Sequence, residues 1–338
     1  MPRFSIIVPV YNRPDEMADL LESLEKQTCK DFELIVVEDG STIPCGDMVE
    51  AATARGLNAR YFFRPNEGRS IARNYGMEQA QGQWLVFFDS DCVIPPTYFE
   101  TVSRELDNFE AQGKKIDCYG GPDMAHESFS DVQKAINYSM TSFLTTGGIR
   151  GGKISLEKFV PRTFNMGFRK DVYQRVGGFR EMFSEDIDMS TRIRQAGFTT
   201  TLIHRAGVWH KRRIDWKKFW RQVHVFGMSR ITLKLLYPGS LKPVHILPAV
   251  FVIGAIALII GGIFWTPWCF LPLAIYFLAV AIGALIATRS PKIAIYAIPA
   301  AAIQLTGYGT GFIRAFVNSI LLGKGRNLNN EIEMRRGK

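Results

Sequence analysis

Over the first 90 residues, short apolar runs alternate with segments whose apolar residues recur at helical spacing. The runs are rich in β-branched and aromatic residues and predict buried strands over residues 4–10, 33–37, 59–63 and 84–88. Helices are predicted between them, over 14–27 and 69–80. This alternation indicates βαβ units, and therefore an α/β fold whose mostly parallel sheet is flanked by helices.

Beyond residue 244 the pattern changes to long apolar stretches. Residues 246–265 and 269–288 contain no charged side chain, and each has about the 20 residues that a helix needs to cross a bilayer. A third stretch, 293–322, is interrupted by Pro299, by glycines and by Arg314. The sequence allows this stretch either to cross the membrane or to lie partly in the interface and return the basic tail. We expect a crossing.

Charge divides the 338-residue chain in the same places. Residues 1–203 carry 23 Lys and Arg against 29 Asp and Glu, residues 204–244 carry 10 against 1, and the remainder carries 8 against 2. An acidic front, a basic segment and an apolar tail are typical of a cytosolic domain held against an anionic membrane. The sequence has no repeat of basic and aromatic residues of the kind that would indicate nucleic acid as a partner.

We therefore expect a multi-pass protein of the inner, cytoplasmic membrane whose N-terminal domain faces the cytoplasm. The expected parts are a cytosolic domain (1–213), an amphipathic interfacial helix region (214–243), a transmembrane region of two to three helices (244–323) and a basic tail (324–338). An ordinary surface helix is the alternative for residues 214–236.

Acidic clusters follow the predicted strands or open a predicted helix. They are Glu38-Asp39, Asp89-Ser90-Asp91 and Glu185-Asp186-Ile187-Asp188. Ligands of parallel sheets bind outside the carboxyl ends of the strands, and gathered carboxylates repel one another unless a cation compensates them. Hard oxygen ligands suit Mg²⁺ or Mn²⁺, and a site with few protein ligands implies a substrate with a diphosphate. Neither a Walker loop nor a strand-linked GxGxxG motif is present.

In order and spacing, these motifs resemble those of family 2 glycosyltransferases with the GT-A fold, from residue 4 to about 230. The segments that carry the resemblance are SIIVPVYNR (5–13), Gln27-Thr28, FELIVVEDGS (32–41), NEGRSIARNYGMEQAQGQWLVFFDSD (66–91), RTFNMGFRKDVYQRVGGF (162–179) and SEDIDMSTRIRQAG (184–197). The resemblance implies transfer of a sugar from a nucleoside-diphosphate donor, with a UDP-sugar expected and guanosine or deoxythymidine donors left open.

The resemblance also implies where the donor binds. Pro9, Tyr11 and Asp39 would line the pocket of the nucleotide base, with Asp39 accepting a hydrogen bond from the ring. Arg69 and Arg73 would lie beside the ribose or the diphosphate. The alternatives are a surface ion pair for Arg73 and a place in the core for Tyr11.

For the chemistry, the resemblance places Asp89 at the ribose or sugar and Asp91 on the metal ion. Asp186 matches the general base, and its neighbour Glu185 (like Asp188) would support it or contact the acceptor. The alternative for Asp188 is that it caps or stabilises the start of its helix. His210 matches a position that reaches the metal or the diphosphate in some relatives, with an ordinary loop histidine as the alternative. One base with direct attack implies inversion at the anomeric carbon.

The expected product carries one added sugar. Processive relatives have a Gln-x-x-Arg-Trp motif, which is absent from residues 219–230. The expected acceptor is a lipid-linked or cell-envelope glycan, or membrane lipid itself, at the cytoplasmic face, which would explain the tail and the basic segment. The alternative is that the tail only anchors an enzyme with a soluble or protein acceptor. The alternatives from other classes are a non-catalytic scaffold that binds sugar nucleotides, a nucleotidyltransferase and a transporter.

Overall fold

The computed structural model describes residues 1–124, 129–147, 159–210 and 215–323. The chain divides into two compact units. The first comprises Met1–His126 and Phe159–Lys211, and the second comprises Glu127–Lys158 and Arg212–Lys338. The predicted basic tail, 324–338, lies outside the described residues.

The strands of the described residues all belong to the first unit. In chain order they are β1 (Phe4–Val10), β2 (Phe32–Asp39), β3 (Ala59–Arg64), β4 (Trp84–Phe87), β5 (Cys92–Val93), β6 (Cys118–Gly120), β7 (Asp123–Met124), β8 (Met166–Arg169), β9 (Thr200–Leu202) and β10 (Val208–His210). The main sheet has the order β3-β2-β1-β4-β8-β6-β9, and a small sheet has the order β5-β10-β7. The first four strands are parallel, whereas β8 is antiparallel to both of its neighbours. The predicted mostly parallel sheet is confirmed.

The helices are distributed between both units. In chain order they are α1 (Pro14–Glu25), α2 (Gly46–Ala54), α3 (Arg69–Gln79), α4 (Tyr98–Ala111), α5 (Asp131–Thr141), α6 (Phe143–Thr146), α7 (Lys170–Val176), α8 (Glu185–Gln195), α9 (Trp216–Leu236), α10 (Pro243–Phe264), α11 (Leu271–Thr288) and α12 (Pro291–Phe316). Helices α5, α6 and α9–α12 lie in the second unit.

The sheet of the first unit has an apolar core on each face. Because side chains alternate along a strand, Ile6 and Val8 of β1 join one cluster and Ile7 joins the other. Helix α1 covers the first face because its apolar residues repeat at helical spacing: Met17 and Leu24, with Leu20 and Leu21, are buried. Each fully buried side chain of this size contributes roughly 1.5–3 kcal/mol. Burial of both faces therefore holds the parallel strands in register.

The second unit consists of helices in its described residues. Pro243–Phe264 and Pro267–Thr288 are long and apolar enough to cross a membrane by length and composition. Helix α12 packs against α5, α9, α10 and α11. Residues 131–146, which precede β8 in the chain, are thus grouped with the C-terminal helices rather than with the sheet.

Candidate active site

The carboxyl ends of β1, β2 and β4 meet at one edge of the main sheet, because the three strands run parallel. The residues that follow them form adjoining loops at this edge, which is where α/β sheets bind ligands. The DSD cluster, Asp89-Ser90-Asp91, directly follows the buried Phe87 and Phe88. The strand-end position of these carboxylates agrees with the sequence analysis.

Asp39 ends β2 and is 6% exposed. Its Oδ1 accepts hydrogen bonds from the Glu67 N–H at 2.8 Å and the Gly68 N–H at 3.1 Å, while Asn66 Nδ2 donates to its carbonyl oxygen at 2.9 Å. The carboxylate thus fastens the loop that leads into α3, whose N-terminus attracts negative charge. Of the other two predicted pocket residues, Pro9 is half-buried and Tyr11 is 50% exposed, so the core alternative for Tyr11 is excluded.

Asn12 was not singled out by the sequence analysis. It adopts a left-handed backbone conformation with φ of 51°, which Asn tolerates better than most residues. Its Oδ1 accepts hydrogen bonds from the N–H groups of Thr42 at 2.8 Å and Ile43 at 3.2 Å, and its own N–H donates to Ser41 Oγ at 2.7 Å. Asn12 therefore ties the loop after β1 to the loop after β2. A lone Asn after an apolar run carries only a weak turn signal.

Glu38, which is fully buried next to Asp39, stabilises the loop after β2 through hydrogen bonds. It accepts hydrogen bonds from the Ser41 hydroxyl, from the Cys45 N–H at 2.9 Å and from the Tyr61 hydroxyl at 3.3 Å. Burial together with this carboxylate raises the pKa of both Cys45 and Tyr61 above their ordinary ranges. The side chains of Glu38, Ser41, Cys45 and Tyr61 therefore stabilise the conformation of the loop after β2.

Arg73 joins two of the acidic clusters. Its guanidinium donates to Asp89 Oδ1 at 2.6 Å and to Glu185 Oε1 at 2.8 Å. The residue is 1% exposed and lies over the ring of Phe179 at 5.7 Å. Arg69, one turn earlier on α3, reaches the other Glu185 oxygen at 2.8 Å. The ion pair considered for Arg73 is thus present, and it is buried rather than at the surface.

The three acidic residues that open α8 have different environments. Glu185 is buried and held by two arginines. The Asp188 carboxylate is fully buried between Arg180 at 3.0 Å and Arg192 at 2.9 Å, so it braces the protein and cannot contact an acceptor. The side chain of Asp186 is 18% exposed and lies 3.5 Å from Arg162. Asp186 is therefore the most accessible carboxylate of the three.

A third group forms around His210 at the end of β10. The antiparallel pairing of β10 with β5 places His210 opposite Cys92, next to Asp91. His210 Nε2 lies 3.1 Å from Asp91 Oδ1, and its Nδ1 lies 3.8 Å from Asp123 Oδ1. Burial alone would lower the pKa of His210, but the two carboxylates outweigh it and raise the pKa to about 9.

The donor set of this group fits a divalent cation. Ligand atoms of Asp91, Cys92 and His210 lie within 4.8 Å of one another. Complete burial and the neighbouring carboxylates raise the pKa of Cys92, which keeps this thiol protonated and makes it a poor ligand. Asp91 and His210 are thus the residues that could hold a metal ion, which would take the place of the proton that the two carboxylates favour on His210. A carboxylate with an imidazole favours Mn²⁺ over Mg²⁺, which prefers oxygen ligands.

Comparison with known proteins identifies the family. The family described as "Glycosyl transferase family 2" matches residues 5–177. The chain is 34% identical over 109 residues to the glycosyltransferase GlyA of Streptococcus pneumoniae serotype 4, covering 32% of this chain and 16% of that protein. It is 35% identical over 100 residues to the uncharacterized glycosyltransferase YibD of Escherichia coli K12, covering 30% of this chain and 29% of that protein. The matched region thus spans less than a third of either relative.

A mannosyltransferase from Pyrobaculum calidifontis, solved in complex with GDP-Man and Mn²⁺, has a similar structure. The TM-score is 0.62 at 17% sequence identity, over 90% of this chain and 87% of that one. At this identity the similarity concerns the fold, and it supports the GT-A fold expected from the sequence. The family match covers half of the chain and includes the DSD cluster at the sheet edge. The chain belongs to glycosyl transferase family 2.

Proposed function

We propose that this protein is an inverting, metal-dependent glycosyltransferase. It moves one sugar from a nucleoside-diphosphate sugar to an acceptor hydroxyl at the cytoplasmic face of a membrane. The observation that carries the proposal is the buried Arg73 bridge, which holds Asp89 of the donor loop and Glu185 beside the accessible Asp186 in one cluster. Asp89 would bind the sugar nucleotide, and Asp186 would supply the base that transfer of the sugar needs.

The donor binds at the edge formed by β1 and β2. Exposed Tyr11 and the loop held by Asn12 offer a surface for the base, next to Asp39. A UDP-sugar is the expected donor. The structurally similar mannosyltransferase was solved with GDP-Man, so guanosine donors belong in any test. Since both terminal nitrogens of the Arg73 guanidinium donate to carboxylates, its role is to position Asp89 rather than to contact the diphosphate.

Asp186 acts as the general base. The acceptor hydroxyl loses its proton to this carboxylate while its oxygen forms a bond to the anomeric carbon. The bond from that carbon to the diphosphate breaks, and its electron pair leaves with the nucleoside diphosphate. Glu185 is neutralised by Arg69 and Arg73, so it orients the start of α8 and leaves proton transfer to Asp186. One base and one direct attack invert the anomeric configuration.

Asp91 and His210 would hold the metal ion, which supplies positive charge to the departing diphosphate when it is bound. Asp91→Asn should raise the Mn²⁺ concentration needed for half-maximal binding. The signal of free Mn²⁺ in electron paramagnetic resonance measures this binding without any turnover. Unchanged binding in this variant would remove Asp91 from the site.

We further propose that the acceptor is lipid-linked and that the protein resides in the cytoplasmic membrane, with the catalytic unit on the cytoplasmic side. Two helices of sufficient length and apolar composition support this location. The basic segment 204–244 supports attraction to anionic lipid. The hydroxyl of such an acceptor would lie at the membrane surface, where the enzyme would transfer one sugar each time it meets an acceptor molecule.

The test is release of nucleoside diphosphate by the purified, detergent-solubilised protein. UDP-, GDP- and dTDP-sugars are supplied with Mn²⁺ or Mg²⁺, with and without membrane lipid extract. Asp186→Asn should bind donor normally and lose turnover by about 10²–10⁴-fold. Asp171→Asn, which removes an exposed carboxylate paired with Arg169, is the matched control and should be unaffected.

Wild-type activity that survives in Asp186→Asn would exclude Asp186 as the base. If the wild-type protein binds a donor but turns over none, with or without lipid extract, the transferase assignment fails. A non-catalytic protein that binds sugar nucleotides would then be the better explanation.

A further inference from the structure

The membrane part of the second unit is a hairpin of two helices. Helices α10 and α11 are joined by a turn at which Trp265 is 85% exposed and Trp268 is 76% exposed. Tryptophan is enriched where a membrane protein meets the lipid–water boundary. Each arm, at 1.5 Å per residue, spans about the 30 Å of a hydrocarbon core. The turn thus marks one end of the hairpin, and its base is the opposite end.

Helix α12 contacts this hairpin near its base. Gly309 lies against the Pro248 carbonyl and the Val252 side chain, which belong to the first half of α10. Ala297 is buried in a cluster with Val280 and Ala284, which belong to the second half of α11. Both groups of contacts lie in the half of each arm that is remote from the tryptophan turn.

The spacing of these contacts shows how α12 runs. Ala297 and Gly309 are separated by about 18 Å along the helix at 1.5 Å per residue. The two arms that they touch also meet through aromatic side chains, since the ring centroids of Phe251 and Tyr276 are 5.4 Å apart. A helix that meets neighbouring arms at such distant points crosses the hairpin obliquely. A third span would instead follow one arm along its length.

The half of the hairpin near the turn is left uncovered by α12. Among the described residues, the buried positions of the two arms all lie in the half near the base: His245, Ala249, Val252, Val280 and Ala284. Large apolar side chains are exposed by 43% or more in both halves, near the base at Leu247, Val250, Ile253, Ile282 and Ile286, and near the turn at Ile256, Ile259, Ile260, Ile263, Phe264, Leu271, Ile275 and Leu278. Lipid is the solvent that such a surface needs on all sides. This surface is therefore consistent with two spans that have no third span beside them.

Helix α9 holds α12 from another side through glycines. A Cβ on Gly227 would lie 2.0 Å from the Tyr308 carbonyl oxygen, and one on Gly311 would lie 2.0 Å from the His224 carbonyl oxygen. The two backbones are therefore in direct contact, as small residues allow. Helix α9 carries five cations and no acidic residue: Lys217, Lys218, Arg221, Arg230 and Lys234. So many cations are too costly to bury in hydrocarbon, so both helices belong at the membrane surface.

We infer that the chain crosses the membrane twice, and that α9 and α12 form a layer at the surface whose cations bind anionic lipid headgroups. This inference rests on the membrane location in the proposed function. Under this arrangement Leu322, shortly after α12, is on the same side of the membrane as Pro238, which precedes α10. The third apolar stretch of the sequence is then an interfacial helix, the alternative to the expected crossing.

Sided labelling tests the crossing. Pro238→Cys, Trp268→Cys and Leu322→Cys are introduced one at a time at exposed positions of the full chain. A membrane-impermeant maleimide is applied to sealed vesicles of each orientation, and modified peptides are identified by mass, so native cysteines need not be removed. Residues 238 and 322 should be labelled from one face and residue 268 from the other.

Labelling of residue 322 from the face of residue 268 would show a third crossing and overturn the inference. So would labelling of all three from one face, which would mean that the hairpin does not cross. Release of nucleoside diphosphate is measured on the same vesicles after permeabilisation. An active protein with either labelling pattern would leave the transferase assignment in place while the topology fails.

Lipid contact is tested by acetylation of lysines in reconstituted protein. Vesicles of phosphatidylcholine alone are compared with vesicles that contain phosphatidylglycerol. The anionic lipid should reduce acetylation of Lys217, Lys218 and Lys234 several-fold. Lys26, an exposed lysine of the first unit, is the control and should not change. Equal acetylation in both vesicles would overturn the assignment of the headgroup surface.

Discussion

Replacing Arg73 with methionine separates two contributions of one side chain. Methionine keeps much of the apolar stem and removes the guanidinium that bridges Asp89 and Glu185. Of its two cationic partners among the described residues, Glu185, whose side chain is 3% exposed, would retain Arg69, which is itself 56% exposed. Asp89 would lose this anchor at the edge of the sheet. We therefore expect losses in both stability and turnover.

The magnitude follows from the burial of the pair. Breaking a buried ion pair by removing one partner destabilises a protein by about 3–5 kcal/mol. Because Arg69 still compensates Glu185, we expect the lower end, about 3 kcal/mol. For a domain of 150–250 residues, this corresponds to a fall in melting temperature of about 6–12 °C. Adding Glu185→Gln should restore part of the loss, since no uncompensated buried carboxylate remains.

The assays are thermal unfolding in detergent and steady-state release of nucleoside diphosphate below the melting temperature. Arg60→Met is the matched control, because Arg60 also pairs with a buried carboxylate, Glu33, at 2.6 Å. That pair lies away from the loops after the strands. The control should lose stability and keep its kcat. Arg73→Met should lose stability and kcat, since Asp89 and Asp186 are no longer positioned together.

Two results would refute this reasoning. An unchanged melting temperature in Arg73→Met would mean that the buried bridge does not stabilise the fold. A destabilised variant with wild-type kcat and KM would mean that Arg73 supports the fold alone and does not position the site. Recovery of kcat in Arg73→Lys would also contradict a role that depends on contact with two carboxylates at once.

Three further predictions concern the same unit. Burial alone would raise the pKa of Glu33, but hydrogen bonds from the Ser5 hydroxyl and a backbone N–H, with the Arg60 ion pair, outweigh it and lower the pKa. Ionised Glu33 therefore stabilises the fold above its unfolded pKa and loses this effect as the pH falls through the folded pKa, so acid titration of the melting temperature should be flatter in Glu33→Gln. Asn12→Ala frees the loop after β2 and should raise the KM for donor more than it lowers kcat, which steady-state kinetics would show. Gly121→Ala places a Cβ 1.7 Å from the Ala206 carbonyl oxygen, so its melting temperature should fall well below that of Gly254→Ala, which meets open space.

The local pattern was sufficient for most elements of the fold. The apolar runs predicted β1 to β4 within two residues at either end, and the helical spacing of Met17, Leu20 and Leu24 predicted α1. These features depend on residues a few positions apart, which the chain itself keeps close. Helices α2 and α4 were not predicted. Their apolar residues become informative only beside the sheet that they cover.

The carboxylates of the site were also visible in the sequence, because each follows a strand or opens a helix. The residues that pair with these carboxylates could not be predicted from the sequence. Whether Arg73 meets the donor or two carboxylates depends on how α3, the loop after β4 and the start of α8 converge. The same holds for Asn12, whose amide acts across two loops.

The sequence by itself determined the α/β pattern, the charge division and the acidic clusters, since all three are set by composition and short-range spacing. Only the tertiary structure decided which carboxylates are paired with arginines, that His210 lies beside Asp91, and that α12 contacts both α10 and α11. The physical reason is that ion pairs and helix contacts act between residues far apart in the chain. Their formation depends on the paths of the intervening loops, which no local periodicity encodes.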